Sequence, residues 1–533
     1  MADEEQSSSQ TILNHQSSII KPRSSILHPL SSIFHSRSSI LWIVFLAAIL
    51  VYSQSQFWKQ PSSGDRANWD YFAQVIVRGG VPYKDVVNIK SPLSAYIGAA
   101  AIVVTKPFGL RDIFAIRITF LVLSALVAAF TFQLASEYLD NRIGIISAAV
   151  MISCIAFARY NSGGIQPKTP MILFGLLSLL ALKRERPFLC GLFGMCSALC
   201  WQPGLLFVGA AWLGFSRYLT NWRDVKLARL LSGSLLPLIV LIFYFWAAGA
   251  LKSFYLWNVD FPATVYAPHE ARTPSNFFSH LIKLVNGPYK NTAPYFYIAL
   301  GGLLIAIIRE AIRILKAPKG YFVSAATSHA LIISLLVYFG FCMIDIQGGP
   351  DLIPLLPFVA IFSAIGIMFV VEQCAKLSQR VKPGLNRGLF ERYAVLVIVV
   401  FMVYWHVTVA FYFERTFPTL ADQEAAIQEV MRNFRPGDSI FAYGQTELLV
   451  LTGMSNASKY FLLDRGKARY LDKVEPGGFD GWLEEVKRQR PRLVAMERLG
   501  GDNDLKPLEG WVAEDYRPAI NRVFTCYVRK SDR

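Results

Sequence analysis

The sequence predicts an α-helical polytopic membrane protein of about eleven spans that ends in a small extracytoplasmic α/β domain. Three observations predict it. The 533 residues are 53% hydrophobic and only 17% charged, more apolar surface than a soluble protein of this size hides. Several apolar runs approach the roughly 20 residues needed to cross a bilayer. Lys and Arg gather in short loops between those runs, as the positive-inside rule describes. That clustering also accounts for the formal net charge of +16 and excludes nucleic acid as the partner.

Residues 1–37 read as a disordered, Ser-rich cytoplasmic tail. "SSI" recurs at Ser17, Ser24, Ser31 and Ser38, but Pro22 and Pro29 forbid a long heptad helix. The apolar run Ile40–Val51 has no small-residue cleavage site behind it and reads as an uncleaved first span. Further spans are expected at 112–138, 143–158, 169–183, 187–200, 203–217, 229–250, 293–309, 322–343, 351–371 and 393–413. The runs 187–200 and 203–217 are short and need a bundle around them. One more run, 93–109, decides the orientation of all that follows. If it does not cross, "LKRERP", "SRYLTNWRDVKLAR", "REAIRILKAPKG" and "KLSQRVKPGLNRGLFER" all face the cytoplasm; if it crosses, all face outside. Charge therefore favours an interfacial helix there, with residues 56–111 as one long outer loop. The seven cysteines match no zinc spacing and form no disulfide framework; they read as small apolar fillers.

The spans and outer loops of 38–414 form one expected catalytic domain, and 415–533 changes character. "LADQEAAIQEVMRNF", "TELLVLTGM" and "GWLEEVKRQR" read as helices, and "SIFAYG", "RLVAME", "WVAEDYRP" and "NRVFTCYVRK" as strands. The alternation predicts a largely parallel sheet. The tail has no phosphate-cradling glycine loop and reads as a structural or acceptor-facing cap. "NAS" at Asn456 is a glycosylation sequon of a kind that occurs by chance.

The first outer loop is the informative segment. "NWDYFAQVIV" places Trp69, Phe72, Val75 and Ile76 on one side, an amphipathic helix expected at the membrane interface. Asp65 and Asp70 sit near its start, where carboxylates suit the positive helix end. "GGVPYKDVVNIKSP" (79–92) follows, broken by Pro82 and Pro92. Irregular backbone at this depth needs protein or a wet cavity around it, and ionisable groups there are candidates for function.

The stretch from Asp65 through "YFAQVIVRGGVPYKDVVNIKSPL" resembles the first-loop motif of the GT-C class, polytopic glycosyltransferases that use polyprenyl-phosphate sugars. It is most similar to bacterial relatives of protein O-mannosyltransferases and of the lipid A aminoarabinose transferase. Their pattern is an Asp, a Tyr a few residues on, then G-x-x-P-Y-x-D and K-x-P-L. It matches here at Asp65, Tyr71, Gly80, Pro82, Tyr83, Asp85, Lys90, Pro92 and Leu93. The likeness covers about 38–215 well and the rest in general layout.

The resemblance implies transfer of a sugar, with inversion, from a polyprenyl-phosphate carrier to an extracytoplasmic glycan, lipid or protein acceptor. It assigns the general base to Asp65 and the carrier phosphate to Lys90, with Arg66 and Lys84 as further cations. Asp85 would order the site or a divalent metal shared with Asp65; no cofactor is certain. Tyr83 and Asp70 are implied as site-ordering or substrate-binding residues. Many relatives carry a second acid in the next outer loop, where this chain has Gln166 and Lys168. A metal held by both loops is therefore doubtful, and Lys168 is a candidate phosphate contact or an interfacial cation. "WNVDFPATVYAPHEARTPSNFF" (257–278), with His269 and Arg272, resembles in placement the loop that covers the carrier lipid in relatives. "DIQGGPDLIP" (345–354) places Asp345, Gln347 and Asp351 between spans, with the two carboxylates as candidates for sugar hydroxyls or, alternatively, for a solvated turn. The expected home is the bacterial plasma membrane, with membrane lipids around the chain. The alternatives are a lipid or sugar transporter, and a non-catalytic relative. No inverted repeat or paired broken spans support the former.

Overall fold

The computed structural model describes residues 37–215, 224–267, 274–316, 326–411, 418–432, 434–435, 437–496, 503–519 and 522–530. His269 and Arg272 lie outside the described residues. The described residues from Leu41 onward form one compact unit.

The described chain is mostly helical, and it is an integral membrane protein. Among the described residues four helices are long and apolar enough to cross a membrane: Asp112–Tyr138, Val225–Ala247, Gly349–Val381 and Arg387–Thr408. Asn141–Ile152 and Ile155–Asn161, bent by 60°, form one further candidate span. Shorter apolar helices are Arg37–Ser53, Leu93–Phe108, Pro187–Cys200 and His329–Ile344. The sequence periodicity thus finds a helix at each expected run, while length and apolarity by themselves support four or five of the eleven crossings.

Burial sorts these helices. The window in Gly349–Val381 is 83% buried and forms the centre, whereas that in Arg387–Thr408 is 17% buried. The latter exposes Tyr393, Val397, Phe401, Tyr404 and Trp405, a surface suited to lipid tails. Helices approach closely where side chains vanish. A Cβ on Gly302 would fall 1.8 Å from the Phe362 carbonyl, so Ala293–Lys316 and Leu356–Val381 cross through glycine.

The tail builds a four-stranded sheet: β1 (Ile440–Tyr443), β2 (Leu493–Met496), β3 (Tyr516–Ala519) and β4 (Cys526–Arg529), in the order β1-β2-β4-β3. β1 and β2 pair in parallel, but β2–β4 and β3–β4 are antiparallel. The expected largely parallel sheet is therefore mixed. The short link from Ala519 to Cys526 is too short for the crossover a parallel pair needs. The run "WVAED" closes the helix Lys506–Asp515 instead of opening a strand.

Side chains alternate across the fully buried β1. Phe441 and Tyr443 enter a core with Trp482 and Trp511 of the tail and Tyr83, Val87 and Trp257. Ile440 and Ala442 enter another with Trp69, Tyr71, Phe72 and Ile116. The helix Gly64–Val77, expected at the membrane interface, thus buries its apolar stripe in a core shared with the tail. Helical periodicity marks an apolar face without saying whether lipid or protein covers it. Each fully buried aromatic there contributes roughly 1.5–3 kcal/mol. Polar contacts reinforce the joint. The Gln74 amide donates to the Val450 carbonyl at 3.1 Å, and the Val87 N–H to the Lys459 carbonyl at 3.0 Å. Asn456 spends its side chain on the backbone of Ala442, at 2.8 and 3.2 Å, which speaks against a glycan at that sequon.

Candidate active site

Two adjoining cavity arms that share wall residues lie where the loop 56–111, the segments around Tyr266 and Gln347, and the tail meet. Asp65, Lys90, Tyr266 and Gln347 line both. The larger arm, about 500 Å³, is walled chiefly by Trp201, Pro203, Pro262, Phe341, Ile344 and Pro350, with Lys168, Asp345 and Asp351 among them. The smaller, about 110 Å³, is polar and adds Asn68, Asn88, Asp464, Arg465 and Lys467.

Asp65 stands in the first turn of Gly64–Val77. Its carboxylate opens to the cavity and lies 3.6 Å from the Lys90 ammonium. It is reachable by solvent yet enclosed by protein, so burial and charge compete. Lys90 wins: with Lys168, Lys467 and Arg465 behind it, it holds the carboxyl below the ordinary range. Lys90 is itself placed by Tyr83, whose hydroxyl donates to the Lys90 carbonyl at 2.8 Å. Tyr83 sits at φ 66, a left-handed conformation that a non-glycine residue keeps only when its surroundings fix it. Here Phe245 and Phe254 pack edge-on to its ring.

Lys168 takes the place of the expected second-loop acid. It is buried, pairs with Asp351 at 2.9 Å and lies 4.6 Å from the centre of the Trp201 ring. Asp351 also accepts from the Gln347 and Gly348 N–H groups, each at 2.8 Å. Gln347 donates to Asp345 at 2.8 Å and to the Tyr266 hydroxyl. Tyr266 ends the π-helical turn Pro262–Tyr266, a geometry frequent at functional sites. Asp260, one turn back, pairs with Lys473 at 2.6 Å and fastens this segment to the tail.

Besides Tyr83, which stands behind Lys90, four of the expected residues that are described line neither arm. Arg66 donates to the Gln60 side chain and the Arg159 carbonyl. Lys84 reaches the Ala248 carbonyl at 3.4 Å. Asp85 accepts from the Val81 N–H at 2.7 Å and closes its own turn. Among the described residues no group of three or more His, Cys, Asp or Glu side chains converges as a metal site.

Asp70 is the fourth. It is buried and accepts from the Ile165 N–H at 2.8 Å, holding the loop that leads to Lys168. Gly164 must be glycine there: φ is +149 and a Cβ would meet the Asp70 carboxylate at 2.7 Å. Burial pushes the Asp70 carboxyl up to about 7, against the Ile165 N–H, Arg117 and Arg66. A raised carboxyl stabilises the fold most at low pH. That stability is lost as pH climbs from the ordinary value near 4 through about 7, by on the order of 4 kcal/mol at most. The melting temperature is therefore expected to fall between pH 5 and pH 8, and Asp70→Asn to flatten that fall. An Asp70→Asn profile parallel to wild type would rule this out.

The residues that sequence reading missed are Asn68, Asn88, Trp201 and the tail loop Asp464–Lys467. "LLDRGK" carried one signal, a charged turn closing an apolar run.

No protein-family model matches the chain, and no curated protein sequence matches it. Solved structures do match. ArnT from Cupriavidus metallidurans bound to undecaprenyl phosphate aligns with TM-score 0.59 and 14% identity over 92% of this chain and 98% of that one. Its apo form aligns at 0.58 and 13% over the same shares. The apo oligosaccharyltransferase of Archaeoglobus fulgidus aligns at 0.51 and 11%, over 85% of this chain and 69% of that one. The chain has the GT-C fold that these glycosyltransferases share.

Proposed function

We propose that this protein transfers a sugar from a polyprenyl-phosphate carrier to an acceptor outside the membrane, with inversion at the anomeric carbon. The observation that carries the reading is the Asp65–Lys90 pair at the junction of an apolar arm and a polar arm. A solved GT-C relative holding undecaprenyl phosphate supports the carrier class.

The chemistry follows from these groups. The Asp65 carboxylate takes the proton of the acceptor hydroxyl as its oxygen attacks the anomeric carbon. The bond from that carbon to the phosphate oxygen breaks, and the lipid phosphate leaves with the electron pair. Its charge needs neutralising more than protonating, which suits the Lys90 ammonium. Apolar walls lower the local dielectric and strengthen both interactions. Lys168, paired with Asp351, sets a second cation further along the apolar arm. Asp345 and Gln347 offer acceptors and donors to sugar hydroxyls. A divalent metal has no convergent donor set among the described residues, so no step runs through one.

The orientation belongs to the same reading: eleven spans, cytoplasmic N-terminus, and tail on the outer face of a bacterial plasma membrane. A tag after Lys530 should be cut by protease added to intact cells, and a protected tag would reverse the topology. The activity is tested with purified protein in lipid nanodiscs and radiolabelled undecaprenyl-phosphate sugars. Label passing to an acceptor, or to water, supports transfer. Label carried intact across a sealed proteoliposome supports a transporter instead.

A further inference from the structure

The tail was expected to be a cap, yet it lends three side chains to the cavity. Asp464, Arg465 and Lys467 wall the polar arm opposite Asp65 and Lys90. Lys467 pairs with Asp464 at 2.6 Å, and the Arg465 Nε lies 3.5 Å from the same carboxylate. The Arg465 Nη1 donates to the Tyr266 hydroxyl at 3.2 Å and to the Gln347 side chain. One tail residue thus reaches two of the membrane-domain segments that line the site.

The backbone supports the same placement. Arg465 stands at φ 55, although Gly466 follows it at φ 82. Left-handed backbone is strained for arginine, at about 1 kcal/mol or more, and such strain concentrates at functional sites.

The two arms also differ in chemistry in a definite order. A carrier-linked sugar runs lipid, phosphate, sugar. The cavity runs apolar arm, Lys90, polar arm. The polar arm offers planar amides at Asn68, Asn88 and Gln347, a carboxylate at Asp464, and cations at Arg465 and Lys467. Paired amide, carboxylate and guanidinium groups match neighbouring hydroxyls by two hydrogen bonds at once. A site built to hydrogen-bond such hydroxyls rejects a ligand that leaves its polar groups unpaired.

We propose that the polar arm holds the sugar of the carrier-linked donor, and that Asp464 and Arg465 of the tail determine which sugar fits. This rests on the glycosyl-transfer reading of the site. The test compares the bare and the glycosylated carrier on the full-length protein in nanodiscs. The probes are undecaprenyl phosphate and its neutral hexose, amino-pentose and uronic acid derivatives. Wild type is expected to bind one derivative at least 10-fold more tightly than bare undecaprenyl phosphate. Asp464→Asn and Arg465→Lys are expected to lose that gain, or pass it to another derivative, while binding the bare carrier within 3-fold of wild type. Lys90→Met should do the reverse and weaken every probe alike. The proposal is overturned if both tail variants keep the gain for the same sugar, if they lose the bare carrier equally, or if no derivative gains in wild type. Should Arg465→Lys fail to fold, Asp464→Asn decides. Absence of any undecaprenyl phosphate binding in wild type would instead sink the transfer reading itself, a different outcome from these.

Discussion

Asp65→Asn is expected to lose about 10²–10⁴-fold in transfer rate, the usual contribution of a general base, with folding and carrier binding intact. Asparagine keeps the shape and still accepts a hydrogen bond, but it cannot take the acceptor's proton. Stability should hardly change. The Asp65–Lys90 pair is 3.6 Å apart with the carboxylate open to the cavity, and open pairs contribute about 0–1 kcal/mol. The loss should therefore appear in kcat at saturating donor, with donor affinity unchanged. Asp70→Asn is the matched control, since Asp70 lines neither arm and binds the Ile165 N–H. A large rate loss in Asp70→Asn together with a small one in Asp65→Asn would move the base to Asp70 and misplace the cavity. Activity lost equally in both would point to disruption of their shared helix.

Much of this site was legible in the sequence because it is local. Asp65, Tyr83 and Lys90 lie within one loop, and the motif that joins them is contiguous. The structure draws Asp65 and Lys90 together and sets Tyr83 behind them. Asp345 and Gln347 were legible for a related reason: polar residues between apolar runs have few places to go. What was not legible comes from long range. Arg465 reaches Gln347 across 118 positions and Tyr266 across 199, and no periodicity records such a meeting. The helix Gly64–Val77 shows the same limit. Its apolar stripe was plain, but lipid and the tail sheet are equally apolar partners. Asp85 shows the converse: a charge inside a motif can serve the backbone of its own turn, while Arg66 and Lys84 are spent on the distant carbonyls of Arg159 and Ala248. The sheet direction was missed because β3 and β4 are short and close together, and loop length decides their pairing.

Lys168→Met is expected to destabilise the protein by about 3–5 kcal/mol, whereas Lys90→Met should fold normally and fail in donor binding. The contrast follows from burial. The Lys168 side chain is 5% exposed and Asp351 13%, so methionine would strand a carboxylate away from water. It would also remove the cation over Trp201. Asp351 must keep accepting from the Gln347 and Gly348 N–H groups, so an asparagine there preserves the loop while deleting the charge. The double variant Lys168→Met/Asp351→Asn should thus regain most of the lost stability, since no buried charge is left unpaired. Lys90, at 22% exposure, faces a carboxylate that water already reaches. Its loss should weaken undecaprenyl phosphate binding and turnover together. It should also free Asp65 from the charge that holds its carboxyl low. Asp65 must be ionised to act as a base, so the acid limb of the rate profile in Lys90→Met should move to higher pH. The measurements are thermal unfolding in nanodiscs, carrier binding and the pH–rate profile of the three variants. Lys168→Met melting with wild type would show the pair to be solvated and would return Lys168 to the role of a carrier contact. Lys90→Met binding the carrier as wild type does would take Lys90 out of the site.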